Sequence, residues 1–266
     1  MATRVAVYPG GGRRLAKVLA FANQKGGVAK TTTTINLGVA FQEMGYKVLA
    51  VDMDPQGNLT MSLGVDPDSV RPSMYDVLVN GVNIEEALLR RELDVVVSSI
   101  DLAAAEIALS AHIGRERALS KALLQVTDRY DYIVIDTPPS LGLLTINALT
   151  AADAVIVPVQ CEYLSLRGLA QLEKTLELVR DNLNPRVHIA GIVPTMYDSR
   201  TVHGREAVEV LRHNFGDLVF STPIRKTIKF AEAPVKGESV LKYAPDSQAA
   251  NAYRQLAREV LSGKKI

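Results

Sequence analysis

The chain has 266 residues, of which 47% are apolar and 22% are charged, a composition typical of an ordinary globular protein. Its 30 lysines and arginines nearly balance 29 aspartates and glutamates, so no overall charge marks it as a binder of nucleic acid or membranes. One cysteine excludes a disulfide framework and a cysteine-ligated zinc site within a single chain. No apolar run approaches the about 20 residues of a membrane span, and no signal-peptide pattern is present, so a cytoplasmic location is expected.

The first residues have the pattern of a tail rather than of a folded element. Residues 1–15 contain three arginines and the run Gly10-Gly11-Gly12. Glycine loses more backbone freedom on folding than any other residue, so this run is costly to order. We therefore expect a flexible basic tail over 1–15 and one domain over 16–266, since no repeat or linker follows.

Short apolar runs alternate with helical patterns along the rest of the chain. Most runs are continuous, which is typical of parallel strands buried on both faces. Strands are predicted over 17–22, 47–52, 93–97, 131–136, 153–159 and 187–193. Helices are predicted over 30–44, 101–127 (with a break near Gly114), 165–182, 204–215 and 246–261. This order predicts an α/β fold with a single doubly wound, mostly parallel sheet flanked by helices, and ligands at the carboxyl ends of the strands.

A glycine-containing segment between the first predicted strand and helix has the context of a phosphate loop. It consists of Lys25, Gly26, Gly27, Val28, Ala29, Lys30, Thr31 and Thr32. Glycines let consecutive backbone N–H groups converge on phosphate oxygens, and the helix N-terminus adds partial positive charge. Lys30 is suited to the β- and γ-phosphates, the Thr31 hydroxyl to Mg²⁺, and Thr32 to an α-phosphate oxygen.

Three positions depart from the ordinary phosphate loop. Gln24 and Ala29 stand where that pattern has glycine. If Ala29 needs a positive φ, the strain is on the order of 1 kcal/mol. Lys25 is an additional lysine, and its position does not allow the usual contact with the γ-phosphate of a nucleotide bound by the same chain. A glycine-containing β–α turn with stray lysines is the simpler alternative.

Three aspartates end predicted strands or follow them closely. Asp52 and Asp54 are two residues apart, a spacing that places both carboxylates on one side of an extended chain. Asp136 ends the apolar run 132–135, where a carboxylate can contact Mg²⁺ directly or through water. A solvated pair of aspartates and a helix-capping aspartate are the respective alternatives.

Three ordered segments resemble the deviant-phosphate-loop ATPases of the ParA/Soj partition family, which are relatives of MinD. These segments are KGGVAKTT (25–32), VDMDPQGN (51–58) and YIVIDTPP (132–139). The resemblance runs from about Lys17 to the C-terminus. It implies a P-loop ATPase with ATP and Mg²⁺ as cofactors, and a homodimer that sandwiches ATP between its two subunits.

The resemblance also implies roles for the candidate residues. Lys25 would cross to the partner subunit's phosphates, and Asp54 would position or activate the attacking water. Together with Lys30 they are the expected catalytic residues, and Asp52 would support the magnesium shell. The expected metal ligands are Thr31, Asp54 and Asp136. The expected adenine contacts are Thr195, Met196 and Pro234.

A basic segment near the C-terminus raises the question of DNA binding. Three of the five residues over 225–229 are basic and none is acidic. The resemblance brings Arg200 and Lys229 onto positions where basic side chains contact DNA. The expected contacts to phosphates of nonspecific double-stranded DNA are Arg200, Arg225, Lys226 and Lys229. A solvated basic face is the alternative.

The function implied by these features is ATP-controlled partition. ATP-dependent pairing would double the DNA contacts, a ParB-like activator would stimulate hydrolysis, and the ATP-bound form would associate with the nucleoid. The cargo would be a chromosome, a plasmid or another assembly.

Three other functions compete with this hypothesis. A MinD-like membrane-associated positioning ATPase would need an amphipathic C-terminal helix, and the final residues 261–266 are too few and too weakly apolar, so no membrane partner is expected. An iron–sulfur reductase would need a pair of cysteines from each subunit, and the chain has only Cys161. A small-molecule kinase would need an acceptor-binding lid, which is not identified.

Overall fold

The computed structural model describes residues 15–161 and 166–263. Except for Leu15, the predicted tail over 1–15 lies outside the described residues. Within the described ranges, no helix combines the length and apolar character needed to cross a membrane.

The described strands form one seven-stranded sheet with the order β3-β4-β2-β5-β1-β6-β7. The strands are β1 Lys17–Phe21, β2 Val48–Asp52, β3 Leu88–Arg90, β4 Asp94–Val96, β5 Tyr132–Asp136, β6 Ala154–Gln160 and β7 His188–Thr195. Every neighbouring pair is parallel except β3 and β4. The predicted doubly wound sheet is confirmed, and all six predicted strands are present. The sequence prediction missed β3, a three-residue antiparallel edge strand.

Helices connect the strands and cover the sheet. The α-helices are α1 Lys30–Glu43, α2 Asn58–Ser62, α3 Met74–Val79, α4 Ala105–Ala108, α5 Ala118–Leu123, α6 Leu143–Ala151, α7 Leu166–Asn182, α8 Val202–Phe215, α9 Lys229–Val235, α10 Val240–Tyr243 and α11 Gln248–Ser262. Short 3₁₀ turns occupy Ile84–Ala87, Ile100–Ala104, Leu109–Ala111, Arg115–Arg117 and Gly216–Leu218.

The prediction of a helix over 101–127 is wrong in its continuity. The segment divides into 3₁₀ turns and the short helices α4 and α5. Gly114 has a φ of 72°, and this left-handed residue immediately precedes the 3₁₀ turn Arg115–Arg117, at the position where the break is predicted. Before it, Leu102, Ala105 and Leu109 are buried, so the short pieces follow the apolar cluster that they cover.

Helix α6 was missed because its pattern is not amphipathic. Its nine residues have the sequence LLTINALTA, and buried side chains occur on several sides of the helix, including Leu144, Asn147 and Leu149. A helix that is apolar nearly all round carries no 3.6-residue signal against its surroundings.

Both faces of the sheet are buried, which explains the continuous apolar runs. In β1, Val18 and Ala20 join one core cluster while Leu19 and Phe21 join the other. Helices α1 and α11 contribute to the second cluster, and α6 and α7 to the first. The sheet is therefore a rigid support, and the loops at the carboxyl ends of its central strands are left to build a site.

Candidate functional site

The predicted phosphate loop lies between β1 and α1. Gly27 has a φ of 71° and Ala29 a φ of 64°, so both adopt the left-handed conformation, and Ala29 is the residue before the first turn of α1. For alanine this conformation costs about 1–2 kcal/mol. The loop imposes its curvature on Ala29, which makes this the position where glycine would be the unstrained residue.

A cleft of about 520 Å³ opens over this loop. Its walls come from five parts of the chain that the sheet brings together. The lining includes Lys30, Thr31, Asp54, Met196, Arg225 and Phe230. The volume suits a small-molecule ligand, and its floor is the N-terminus of α1, where backbone N–H groups favour an anion.

Lys30 is the buried amine of the cleft. Its side chain is largely inaccessible to solvent, and burial lowers its pKa, while the nearby carboxylates of Asp136 and Asp54 act in the opposite direction. A cation held beside two acidic groups in a phosphate loop can contact a phosphate and remain neutralised when the phosphate is absent.

Thr31 and Asp136 are in direct contact. The Thr31 hydroxyl donates to Oδ2 of Asp136 at 2.6 Å, and Thr34 donates to Oδ1 at 3.3 Å. Burial, followed by the neighbouring Asp52, raises the pKa of Asp136 to about 8. One hydroxyl oxygen and one buried carboxylate are the donors that a hard divalent cation prefers. The residues present therefore fit a magnesium ion whose other ligands come from phosphate and water.

Asp52 and Asp54 occupy different environments, although only two residues separate them. Asp54 lines the cleft, and burial raises the pKa of its carboxyl. Asp52 is fully buried, and its carboxylate accepts hydrogen bonds from the amide of Asp54 (3.1 Å) and from the amide and hydroxyl of Thr60 (2.9 and 2.7 Å). Burial raises the pKa of Asp52 to about 6. A role of Asp52 in a magnesium shell stays a prediction.

Lys25 lies at the rim of the loop and does not line the cleft of its own chain. Its amine donates to Oε1 of Gln160 at 3.1 Å, beyond the end of β1 and at the end of β6. Its amide donates to Oδ1 of Asn23 at 3.0 Å, and the Asn23 amide group donates to the carbonyl of Pro158. The amine of Lys25 therefore lies outside the phosphate site of its own chain.

The predicted adenine contacts are only partly brought together. Met196 lines the cleft with a φ of 52° and a partly exposed side chain. Thr195 is buried instead, and its hydroxyl donates to the carbonyl of Val28 at 3.0 Å, which supports the loop from behind. Pro234 lies within α9 and is not among the lining residues. The roles of all three in adenine binding stay predictions.

Several lining residues were not identified from the sequence. They are Gln56, Asn58, Ser62, Pro139, Ile224, Thr227, Phe230 and Ala231. Gln56, Asn58 and Pro139 lie inside the quoted segments 51–58 and 132–139, so the available signal was adjacency to a recognised motif. Ser62 lies four residues beyond the first of these segments. The others lie in or beside the basic segment 225–229, where no local pattern marks a ligand contact.

The predicted DNA-contacting residues fall into two groups. Arg225, Lys226 and Lys229 line a second groove of about 750 Å³, and Arg225 and Lys226 also line the first cleft. Arg200 is not in that groove. It is exposed and donates two side-chain hydrogen bonds to Asp198, at 2.9 and 2.8 Å, which lower the pKa of Asp198 to about 2. Its positive charge is therefore partly compensated locally.

Comparisons with known proteins agree with this geometry. A family model described as an AAA domain matches residues 16–189. The sporulation initiation inhibitor protein Soj of Bacillus subtilis is 47% identical over 249 residues, covering 92% of this chain and 98% of Soj. The chromosome partitioning protein ParA of Caulobacter vibrioides is 45% identical over 254 residues, covering 94% and 95% of the two chains.

Solved structures share the fold over most of the chain. A Mycobacterium smegmatis protein named cobyrinic acid a,c-diamide synthase, with a bound ATP analogue and magnesium, is 43% identical. Its TM-score is 0.82, and the match covers 93% of this chain and 95% of that one. The cell division ATPase MinD of Pyrococcus furiosus is 28% identical with a TM-score of 0.76, covering 93% and 99%.

Proposed function

Because the chain belongs to the ParA/Soj family of P-loop partition ATPases, we propose that it dimerises on binding ATP and then holds DNA without sequence preference. Hydrolysis of ATP to ADP and phosphate would reverse both steps. The cycle would segregate or position a chromosome, a plasmid or another cellular cargo.

The proposal assigns ATP and Mg²⁺ to the cleft over the phosphate loop. Lys30 and the N-terminus of α1 bind the phosphates, and Thr31, Asp136 and Asp54 are the residues that would hold the cation. When bound, the cation neutralises charge on the transferring phosphoryl group. Relatives support this assignment, because the Mycobacterium smegmatis structure contains an ATP analogue and magnesium.

Asp54 is assigned to the attacking water. Its carboxyl group is buried at the cleft wall, and catalysis of phosphoryl transfer depends mainly on positioning and charge stabilisation. A carboxylate held rigidly at this wall can orient a water molecule toward the terminal phosphate.

Lys25 is assigned to a second copy of the chain. Its amine reaches Gln160 rather than its own cleft. In the proposed sandwich, two chains face each other across two ATP molecules, and each supplies Lys25 to the phosphates of the other. The triphosphate is then a part of the interface, so its hydrolysis weakens the dimer.

The observation that carries the DNA-binding part of the proposal is the wall that separates the two cavities. Arg225 and Lys226 line both the cleft and the basic groove, which also contains Lys229. A groove with three cationic side chains suits a phosphate backbone, and a dimer presents it twice. Because loss of phosphate contacts weakens nonspecific binding steeply, pairing would make DNA retention depend on ATP.

A gel shift of random-sequence DNA tests the proposal. We expect retention with ATP, and little or none with ADP or without nucleotide. Adding a ParB-like partner of the same host should accelerate ATP turnover and release the DNA. Equal retention under all three nucleotide conditions would contradict the proposal. Pelleting of the protein with liposomes rather than DNA would favour a MinD-like positioning role instead.

A further inference from the structure

The backbone of Asp54 is held from both sides by buried side chains. Its amide donates to Oδ1 of Asp52 at 3.1 Å, and its carbonyl accepts a hydrogen bond from the hydroxyl of Ser98 at 2.7 Å. Ser98 follows β4 on the chain, so this contact ties the turn after β2 to the neighbouring parallel strand. Both Asp52 and Ser98 have no solvent exposure.

Thr60 closes the same network. Its hydroxyl donates to Oδ2 of Asp52 at 2.7 Å and accepts from the amide of Ser98 at 3.0 Å. Its amide also donates to Oδ2 of Asp52, at 2.9 Å. Thr60 therefore links the carboxylate of Asp52 to Ser98, the residue whose hydroxyl donates to the carbonyl of Asp54.

These contacts orient Asp52 inward. Three hydrogen bonds from this chain satisfy its carboxylate, and it does not line the cleft, whereas Asp54 does. A carboxylate held in this way is suited to shape a turn rather than to bind a cation in the cleft.

From this geometry we infer that Asp52, Thr60 and Ser98 form a buried brace that positions Asp54 for ATP hydrolysis. Thr60 and Ser98 are positioning residues, and Asp52 acts through the brace and not as part of the magnesium shell. The inference rests on the proposed role of Asp54. The brace itself is independent of that role, because all its contacts lie within the chain.

Two matched pairs of variants test the brace in the full chain. Thr60→Val removes the hydroxyl at nearly constant shape, while Thr60→Ser retains it. Ser98→Ala removes the bond to Asp54, while Ser99→Ala removes an adjacent buried hydroxyl whose partner is Ser73 at 3.2 Å. We expect kcat to fall about 3- to 10-fold in Thr60→Val and Ser98→Ala, the effect of one lost hydrogen bond, with KM for ATP unchanged. Thr60→Ser and Ser99→Ala should retain wild-type kcat.

Equal losses in both members of each pair would overturn the inference, because they would indicate general destabilisation. Asp52→Asn distinguishes a brace from a metal-shell residue. It should lower kcat without changing the Mg²⁺ concentration that gives half-maximal activity. A several-fold higher requirement for Mg²⁺ would assign Asp52 to the metal shell and overturn its place in the brace.

Hydrogen exchange measures the brace without relying on turnover. The amides of Asp54 and Thr60 both donate to Asp52, so peptides covering residues 53–60 should exchange faster in Ser98→Ala and Thr60→Val than in Ser99→Ala. Unchanged exchange would overturn the brace. A wild-type chain that hydrolyses no ATP would instead overturn the proposed function and leave this measurement valid.

Discussion

At the scale of single residues, the site concentrates acidic groups that water does not reach. Asp52 and Asp136 are paired in register on adjacent strands, and both are fully buried. Burial raises the pKa of both carboxyl groups, and the Asp52 charge adds to the effect on Asp136. Such a pair is stable only when a proton, the Lys30 ammonium group or a bound cation balances its charge.

The raised pKa of Asp136 predicts a pH-dependent stability in the absence of cation and nucleotide. The unfolded chain releases this proton near the ordinary value of 3.8 and the folded chain at about 8, so the free energy of unfolding falls as pH rises between these values. Asp136 alone contributes a slope of at most about 1.4 kcal/mol per pH unit. Asp136→Asn should remove that contribution in urea denaturation with EDTA. An unchanged slope in the variant would contradict the buried, protonated state.

Lys25 gives a prediction about association. Lys25→Ala should bind nucleotide normally, because its amine lies outside its own cleft. The ATP-dependent dimer should be about 10- to 100-fold weaker, the usual effect of losing a hydrogen bond from a charged group. Light scattering with a non-hydrolysable ATP analogue and Mg²⁺ measures the dimer. Lys47→Ala is the control, since Lys47 lies just before the start of β2, at the end of the sheet opposite to the phosphate loop. A variant that pairs and hydrolyses like wild type would exclude the cross-subunit role.

At the scale of elements, two short helices hold opposite sides of the cleft together. Helix α2 contributes Asn58 and Ser62 to the lining, and α9 contributes Phe230 and Ala231. The turns after these helices meet through glycine backbones, and a β-carbon on Gly237 would lie 2.8 Å from Cα of Gly64. The width of the cleft therefore depends on a contact that no larger residue permits.

Substitution of two glycines separates this contact from backbone strain. Gly237 and Gly81 have φ values of 68° and 69°, but a β-carbon on Gly81 meets no atom within 4 Å. Gly81→Ala should cost about 1–2 kcal/mol of stability from φ alone. Gly237→Ala should cost a further 1–3 kcal/mol, roughly, because the helices must separate. Urea denaturation of both variants checks the difference, and equal losses would exclude the steric effect.

At the scale of the whole molecule, charge is distributed unevenly although the net charge is only +1. At the carboxyl ends of the strands, Asp54 lines the cleft, Asp52 and Asp136 are fully buried, and the basic groove lies beside the cleft. This arrangement lets a nearly neutral protein present a cationic surface to a polyanion.

The salt dependence of DNA binding tests this surface. Arg225→Glu should weaken ATP-dependent retention of DNA of every sequence. The slope of log K for DNA binding against log [salt] should become less steep by about 0.9 for each lost phosphate contact, or about 1.8 for a dimer. Arg186→Glu is the control, because this exposed arginine lies before the start of β7, whereas Arg225 pairs with Tyr197 beyond its carboxyl end. Equal slopes for the two variants would remove Arg225 from the proposed DNA-binding surface.

Local patterns in the sequence determined the fold class and the centre of the site. Continuous apolar runs identified β1, β2 and β4–β7, since burial on both faces leaves its mark on consecutive residues. The phosphate loop and its aspartates were recognisable because a backbone turn and its ligand constrain neighbouring positions. The sequence predicts backbone strain at Ala29 if the loop requires a positive φ there. The structure confirms the positive φ.

Only the tertiary structure decided which side chains meet across the chain. It paired Asp52 with Thr60 and Thr60 with Ser98, turned Thr195 toward Val28, paired Arg200 with Asp198 and placed Phe230 in the cleft. It also divided the segment 101–127 into short pieces. Most of these outcomes depend on contacts between residues that are far apart in the sequence. Residue spacing within one strand or helix predicts which face is buried, but it carries no information about which distant side chains will pack or form hydrogen bonds there.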